Sequence, residues 1–377
     1  MQLANYNDPI EQIFDPAISG LIRYQGGSTR SAVAIARKKS AVHKLSSNEW
    51  YKPSPKALQA IRKHTGQVNE YNDQDDTRLR IALSNSMSDM IKPDQFITGN
   101  GGMEVLDFIC RGLVNLGDEC IISTPTFLAY KDFIQVCGGK VVDVPLSTEK
   151  FRLDVQGILQ AITEKTRLIF ITSPNNPTGK IVSRAEMDEL VEKVPPNVCI
   201  LYDEVYHHFV TEGIDWPRAL DYILAGKPII GLHSFSKAFG LAGIRLGYAF
   251  TTPTIAKYLY NLERPFQISL LTMEAGLAAL KDIKHLEKTK QIVHKGKHLV
   301  YGCFLQQGVM YWPSEGNFVL FKPPYDPEDF TADMLEQGVM VRTGKVFGAA
   351  GCIRVTIGSR EAVKAFIEAF EKLNVKQ

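Results

Sequence analysis

Short β-branched runs alternate with longer amphipathic stretches through the middle of the chain, and this alternation most narrows the folds open to it. Residues 95–98, 119–123, 140–145, 167–172, 198–203, 228–233 and 245–251 read as strands. Helical patterns lie between several of them: in 103–113, Leu106, Ile109, Cys110 and Leu113 recur at i, i+3, i+4 and i+7. The pattern predicts an α/β fold, a mostly parallel seven-stranded sheet with helices on both faces.

After Pro265 the pattern changes to long charged helices over about 271–307, then three strand-like runs (317–322, 339–342, 352–358) and a helix over 361–373. These predict a smaller α+β domain, which an irregular arm (21–47) and a helix (55–63) are expected to join. A chain of 377 residues exceeds what one core usually organises. The expected division is a large domain over 68–265 and a small one built from 1–67 and 266–377, packed together with a cleft between them.

Charge excludes several partners. Forty-three Lys and Arg against forty-one Asp and Glu give +2, too little to coat a nucleic-acid backbone or an anionic leaflet. Asp8, Glu11 and Asp15 interrupt any secretory signal, and no stretch approaches about 18 apolar residues, so a soluble, cytoplasmic, unprocessed protein is expected. The six cysteines form no C-x-x-C pair and sit mostly in apolar runs, as reduced core thiols do. No Gly-Lys pair is followed by Ser or Thr, and neither H-E-x-x-H nor G-x-S-x-G occurs. His207 and His208 are neighbours whose side chains would diverge on a regular element, so no metal site is expected.

The residues that carry chemistry follow strands. Lys237 stands in SFSKAFGLAGIRLGY (234–248), among small residues, where partial desolvation lowers an amine's proton affinity and suits it to Schiff-base formation with an aldehyde. Ser234 and Ser236 add hydroxyls and Arg245 a planar fork for a phosphate dianion. An aldehyde that also carries a phosphate is pyridoxal 5′-phosphate. Its ring nitrogen needs a carboxylate, and Asp203 ends a strand in YDEVY (202–206), with Tyr206 three residues on. Asn176 in SPNNPTG (173–179) is a second donor toward the ring hydroxyl. The amides of Gly101, Gly102 and Met103 open a helix and can cradle an anion, and Phe127 follows the next strand, where it either stacks on the ring or joins the core.

SPNNPTG, YDEVY and SFSKAFGLAGIRLGY, in this order and spacing, resemble the class I/II pyridoxal-phosphate aminotransferases of fold type I. The resemblance implies that Lys237 carries the cofactor and shuttles the proton at Cα, that Asp203 pairs the ring nitrogen, and that Asn176 and Tyr206 bind the ring hydroxyl. It assigns Ser234, Ser236, Arg245 and the 101–103 amides to the phosphate. Over nearly the whole length the chain is most similar to the histidinol-phosphate aminotransferase branch, through KLSSNE (44–49), SEGNF (314–318), GVMVR (338–342) and GCIRVTIG (351–358). That branch implies Tyr24, Asn48, Arg342 and Arg354 as substrate-binding residues and histidinol phosphate with 2-oxoglutarate as substrates in histidine biosynthesis. Tyr71 matches a tyrosine that reaches the neighbouring subunit's cofactor, which implies a homodimer with shared sites.

Three positions depart from the branch: Trp50-Tyr51 after Asn48-Glu49, Asn72 after Tyr71, and phenylalanine at 127. Two of these are expected near the substrate's side chain. The residues leave open an aminotransferase for another amino acid, an aromatic one included, or a decarboxylase or cyclase, since the fold does not fix which bond at Cα breaks. A non-catalytic ligand-binding module is disfavoured by the joint presence of Lys237, Asp203, Asn176 and Arg245.

Overall fold

The computed structural model describes Ile18, Leu21 and residues 42–374. Strand β1 (His43–Lys44) leads to helices α1 (Pro55–His64) and α2 (Thr77–Ser86). The alternating section follows: β2 (Phe96–Gly99), α3 (Gly102–Leu113), β3 (Glu119–Ile122), α4 (Ala129–Val136), β4 (Lys140–Asp143), α5 (Val155–Ala161), β5 (Thr166–Thr172), α6 (Arg184–Lys193), β6 (Cys199–Asp203), α7 (Ala219–Leu224), β7 (Ile229–Ser234) and β8 (Gly247–Thr251). Then come α8 (Pro253–Tyr260), α9 (Leu270–Leu280), α10 (Ile283–Gln306), β9 (Tyr311–Trp312), β10 (Phe318–Phe321), α11 (Pro327–Glu336), β11 (Val339–Met340), β12 (Arg342–Thr343), β13 (Ile353–Thr356) and α12 (Arg360–Asn374).

Local chemistry sets several starts. Ser54 accepts the Ala57 N–H and is followed by Pro55, and Ser183 and Glu186 close a capping box on α6. Strands β6 and β7 are buried along their whole length, as central strands of a sheet covered on both faces must be.

The seven strands lie in the order β2-β8-β7-β6-β5-β3-β4, and β8 runs antiparallel to both neighbours. All seven expected runs are present. Register aligns their functional ends, because Thr172 pairs with Asp203, Ser234 with Gly247, and Gly247 with Gly99. That edge is where ligands of open α/β sheets bind.

The expected division of the chain needs correcting. Ala57 of α1 and Met273, Ala275 and Ala279 of α9 belong to the same core as Ile169, Ile200 and Phe250 of the large sheet. These two helices, placed in sequence with the small unit, therefore pack with the large one. A separate core joins α10, β10, β13 and α12, including Phe304, Phe318, Val355 and Phe366. The expected helical stretch after Pro265 is two helices, broken at Asp282, whose carboxylate accepts the Ser54 hydroxyl at 2.6 Å. Among the described residues, no helix is long and apolar enough to cross a membrane.

Candidate active site

The aligned strand ends and the small unit enclose a cavity of about 310 Å³. Lys237, on the loop after β7, lines it and donates from Nζ to the Ser47 carbonyl at 3.3 Å. Burial disfavours the ammonium, and Arg354 and Arg245 push the same way against Glu49 and Asp203, bringing its pKa down to about 8. Asp203 stands at the tip of β6, buried to 7% exposure. Burial raises its carboxyl to about 6, restrained by hydrogen bonds from Tyr130 and the Val205 N–H. An amine shifted down and a carboxyl shifted up face one cavity, an arrangement suited to proton transfer.

Tyr206 and Asn176 line the same wall. Asn48 donates to the Tyr206 hydroxyl at 3.0 Å, and burial pushes the Tyr206 phenol up, so it stays protonated. Phe127 lines the cavity as well, 5.5 Å edge-on from Tyr130.

The opposite end has room and charge for a phosphate. Gly101 takes a φ of +83° ahead of α3, and a Cβ there would overlap the Arg245 guanidinium. A side chain at Gly247 would strike the backbone of Gly101 and Gly102. Gly102, Met103, Ser234, Ser236 and Arg245 all line this end, and the Ser236 N–H donates to Ser234 Oγ at 3.0 Å. A cradle kept open by glycines, a guanidinium beside it and a depressed amine fit a phosphorylated aldehyde.

Arg342 and Arg354 line the side formed by the small unit. Arg354 donates to Asn176 Oδ1 and to the Ser46 carbonyl, and its guanidinium lies 4.5 Å from the Phe347 ring centroid. Asn48 is buried at a φ of 55°, and its carbonyl accepts from Asn317 Nδ2 at 3.1 Å.

A model of the aminotransferase class I and II family matches residues 40–370. The chain belongs to the class I and II aminotransferases. It is 39% identical over 334 residues to the histidinol-phosphate aminotransferase of Moorella thermoacetica, covering 88% of this chain and 85% of that one. It is 34% identical over 367 residues to that of Akkermansia muciniphila, covering 97% and 99%. The crystal structure of the Sinorhizobium meliloti histidinol-phosphate aminotransferase in complex with pyridoxal 5′-phosphate shares the fold, with a TM-score of 0.84 at 23% identity over 97% of this chain and 98% of that one. The protein is a pyridoxal-phosphate-dependent aminotransferase of fold type I.

Within this aminotransferase the cavity adds residues to which the sequence reading gave no role. Ser46, Ser47, Thr172 and Phe347 line it, and Tyr130 supports Asp203 from behind. Thr172 is the residue before SPNNPTG at the tip of β5, so reading each strand to its last residue would have found it. Tyr71 does not line this chain's cavity: it is 85% exposed, 4.8 Å from the Phe266 ring. Tyr24 lies outside the described residues.

Two expectations are corrected. His207 and His208 do not diverge, because they sit on a tight 3₁₀ turn with ring centroids 3.8 Å apart, and His207 stacks on His233 at 4.0 Å. Trp50 and Tyr51 do not face the substrate cavity; they line a neighbouring one with Lys44, Glu49 and Gly240.

Proposed function

We propose that this aminotransferase moves the amino group of histidinol phosphate to 2-oxoglutarate. The observation that carries the reading is the placement of Arg342 and Arg354 in the same cavity as Lys237, which provides two guanidinium groups for an anionic substrate end. The names of the Moorella thermoacetica and Akkermansia muciniphila relatives support it.

Pyridoxal 5′-phosphate, when bound, supplies an electron sink for the negative charge that develops at the substrate's Cα. Gly101, Gly102, Met103, Ser234, Ser236 and Arg245 would hold its phosphate. Asp203 would pair with its ring nitrogen, Asn176 and Tyr206 with its ring hydroxyl, and Phe127 would lie against its ring face. Lys237, with an amine near pKa 8, releases and takes up a proton near neutral pH, and it is the group that moves the Cα proton. Asn48, Arg342 and Arg354 would bind and orient the donor, and Arg354 would also receive the carboxylate of the 2-oxo acid.

The active form in this reading is a homodimer, in which the exposed Tyr71 reaches the partner's cofactor site. Six free cysteines, five of them buried, support a reducing, cytoplasmic setting. The test is glutamate formation from histidinol phosphate and 2-oxoglutarate, for which Lys237→Ala is expected to lose turnover while keeping its fold. Appreciable turnover in that variant refutes the assignment.

A further inference from the structure

Tyr130 belongs to no motif, yet its hydroxyl reaches the centre of the site. It lies in the first turn of α4, fully buried, with its ring 4.8 Å from Phe170 and edge-on to Phe127. Its Oη donates to Asp203 Oδ2 at 2.6 Å and lies 3.0 Å from Thr172 Oγ1. The other carboxylate oxygen, Oδ1, accepts the Val205 N–H at 3.0 Å. One donor per oxygen fixes the plane of the carboxylate and leaves each oxygen a lone pair for a donor in the cavity.

Resting on the site reading above, we infer that Tyr130 is a positioning residue whose hydroxyl aims the Asp203 carboxylate into the cavity and holds it ionised against the cofactor's ring nitrogen. A hydrogen bond donated to a carboxylate favours its charged form. Burial and the neighbouring carboxylate push the Tyr130 phenol well up, so it remains a donor throughout the working pH range. The other groups facing Asp203 do not replace it. Lys237, from the loop after β7, favours the ionised form by charge, Glu204 beside it opposes that form, and the Tyr206 phenol is neutral.

Tyr130→Phe keeps the ring and its contacts and removes only the hydroxyl. In the full-length chain without cofactor, the ¹³C resonance of the Asp203 carboxyl titrates near pH 6, and in Tyr130→Phe its midpoint is expected to rise by about one pH unit. In the cofactor-loaded enzyme, the acid limb of kcat against pH moves in the same direction, while KM for the amine at the plateau stays within about twofold. If Tyr130→Phe fails to fold, 3,5-difluorotyrosine at position 130 serves instead. Its more acidic phenol is a stronger donor and lowers the Asp203 midpoint.

An unchanged Asp203 midpoint in a folded variant overturns the inference. Failure of the wild-type chain to bind pyridoxal phosphate overturns the site reading instead. The cofactor-free titration separates these outcomes, because it reports on Tyr130 and Asp203 whether or not the cofactor binds.

Discussion

Arg342 and Arg354 are register partners across the antiparallel pair β12 and β13, so both guanidinium groups rise from the same face of the small sheet into one cavity. Like charges placed directly opposite each other disfavour a sheet pair. An anionic ligand held between the two guanidinium groups would offset that cost, which gives the proposed phosphorylated donor a physical basis.

Truncating one member of the pair tests that basis. Arg342→Ala is expected to raise KM for histidinol phosphate by about 10- to 100-fold, the equivalent of a charge-assisted hydrogen bond of roughly 1.5–3 kcal/mol. Steady-state kinetics with histidinol phosphate and with its dephosphorylated form check it. An equal loss for both amines contradicts a phosphate contact at Arg342.

The shared site can be tested by mixing two inactive variants. A heterodimer of Lys237→Ala and Tyr71→Ala protomers contains one site with Lys237 from one chain and Tyr71 from the other, both intact. Random reassociation should restore about a quarter of wild-type turnover per dimer. Restoration no greater than the sum of the separate variants contradicts a Tyr71 that crosses between subunits.

Acid stability carries the signature of the histidine cluster. Burial, with His233, Arg218 and Lys290 adding to it, lowers His208 from 6.5 to about 3, and His207 and His233 shift in the same direction. Between pH 6.5 and 3 the unfolded chain therefore takes up a proton at His208 that the native chain refuses. The stability present above pH 6.5 is lost as pH falls, at about 1.4 kcal/mol per unit. Asp76 and Asp203, both raised to about 6, and Glu263, raised to about 7, act with the opposite sign, so the comparison must be made between variants. Urea unfolding at pH 6.5 and 4.5 should show the wild type losing about 2 kcal/mol relative to His208→Gln. A pH dependence identical in both contradicts a native His208 that stays neutral.

Much of this architecture was legible in the sequence because the central strands are buried on both faces and so read as continuous apolar runs, as in Ile229–Ser234. The two-residue strands β1 and β9 were missed and β11 and β12 were read as one run, since each is defined by a remote partner: His43 pairs with Val339, far along the chain, while Arg342 pairs with Arg354. Helix α9 was placed in the wrong unit, although Leu270–Leu280 is apolar almost all round, the mark of a helix enclosed by a core. In the site, Lys237, Asp203, Asn176 and Arg245 stood out because each lies in a distinctive motif at or near a strand end. Tyr130 and Phe347 did not, because their roles arise from packing: one backs Asp203 from a neighbouring helix, and the other lies against Arg354. The departure at Trp50-Tyr51 was visible in the sequence, but that these rings face a different cavity was not.

The most direct test of the account is stopped-flow absorbance of the cofactor-loaded protein mixed separately with histidinol phosphate, histidine, phenylalanine and phosphothreonine. Histidinol phosphate is predicted to discharge the lysine-bound cofactor band fastest at equal concentration, and 2-oxoglutarate to restore it. Faster discharge by an amine without a phosphate, with histidinol phosphate inert, would contradict the proposed substrate while leaving the aminotransferase chemistry in place.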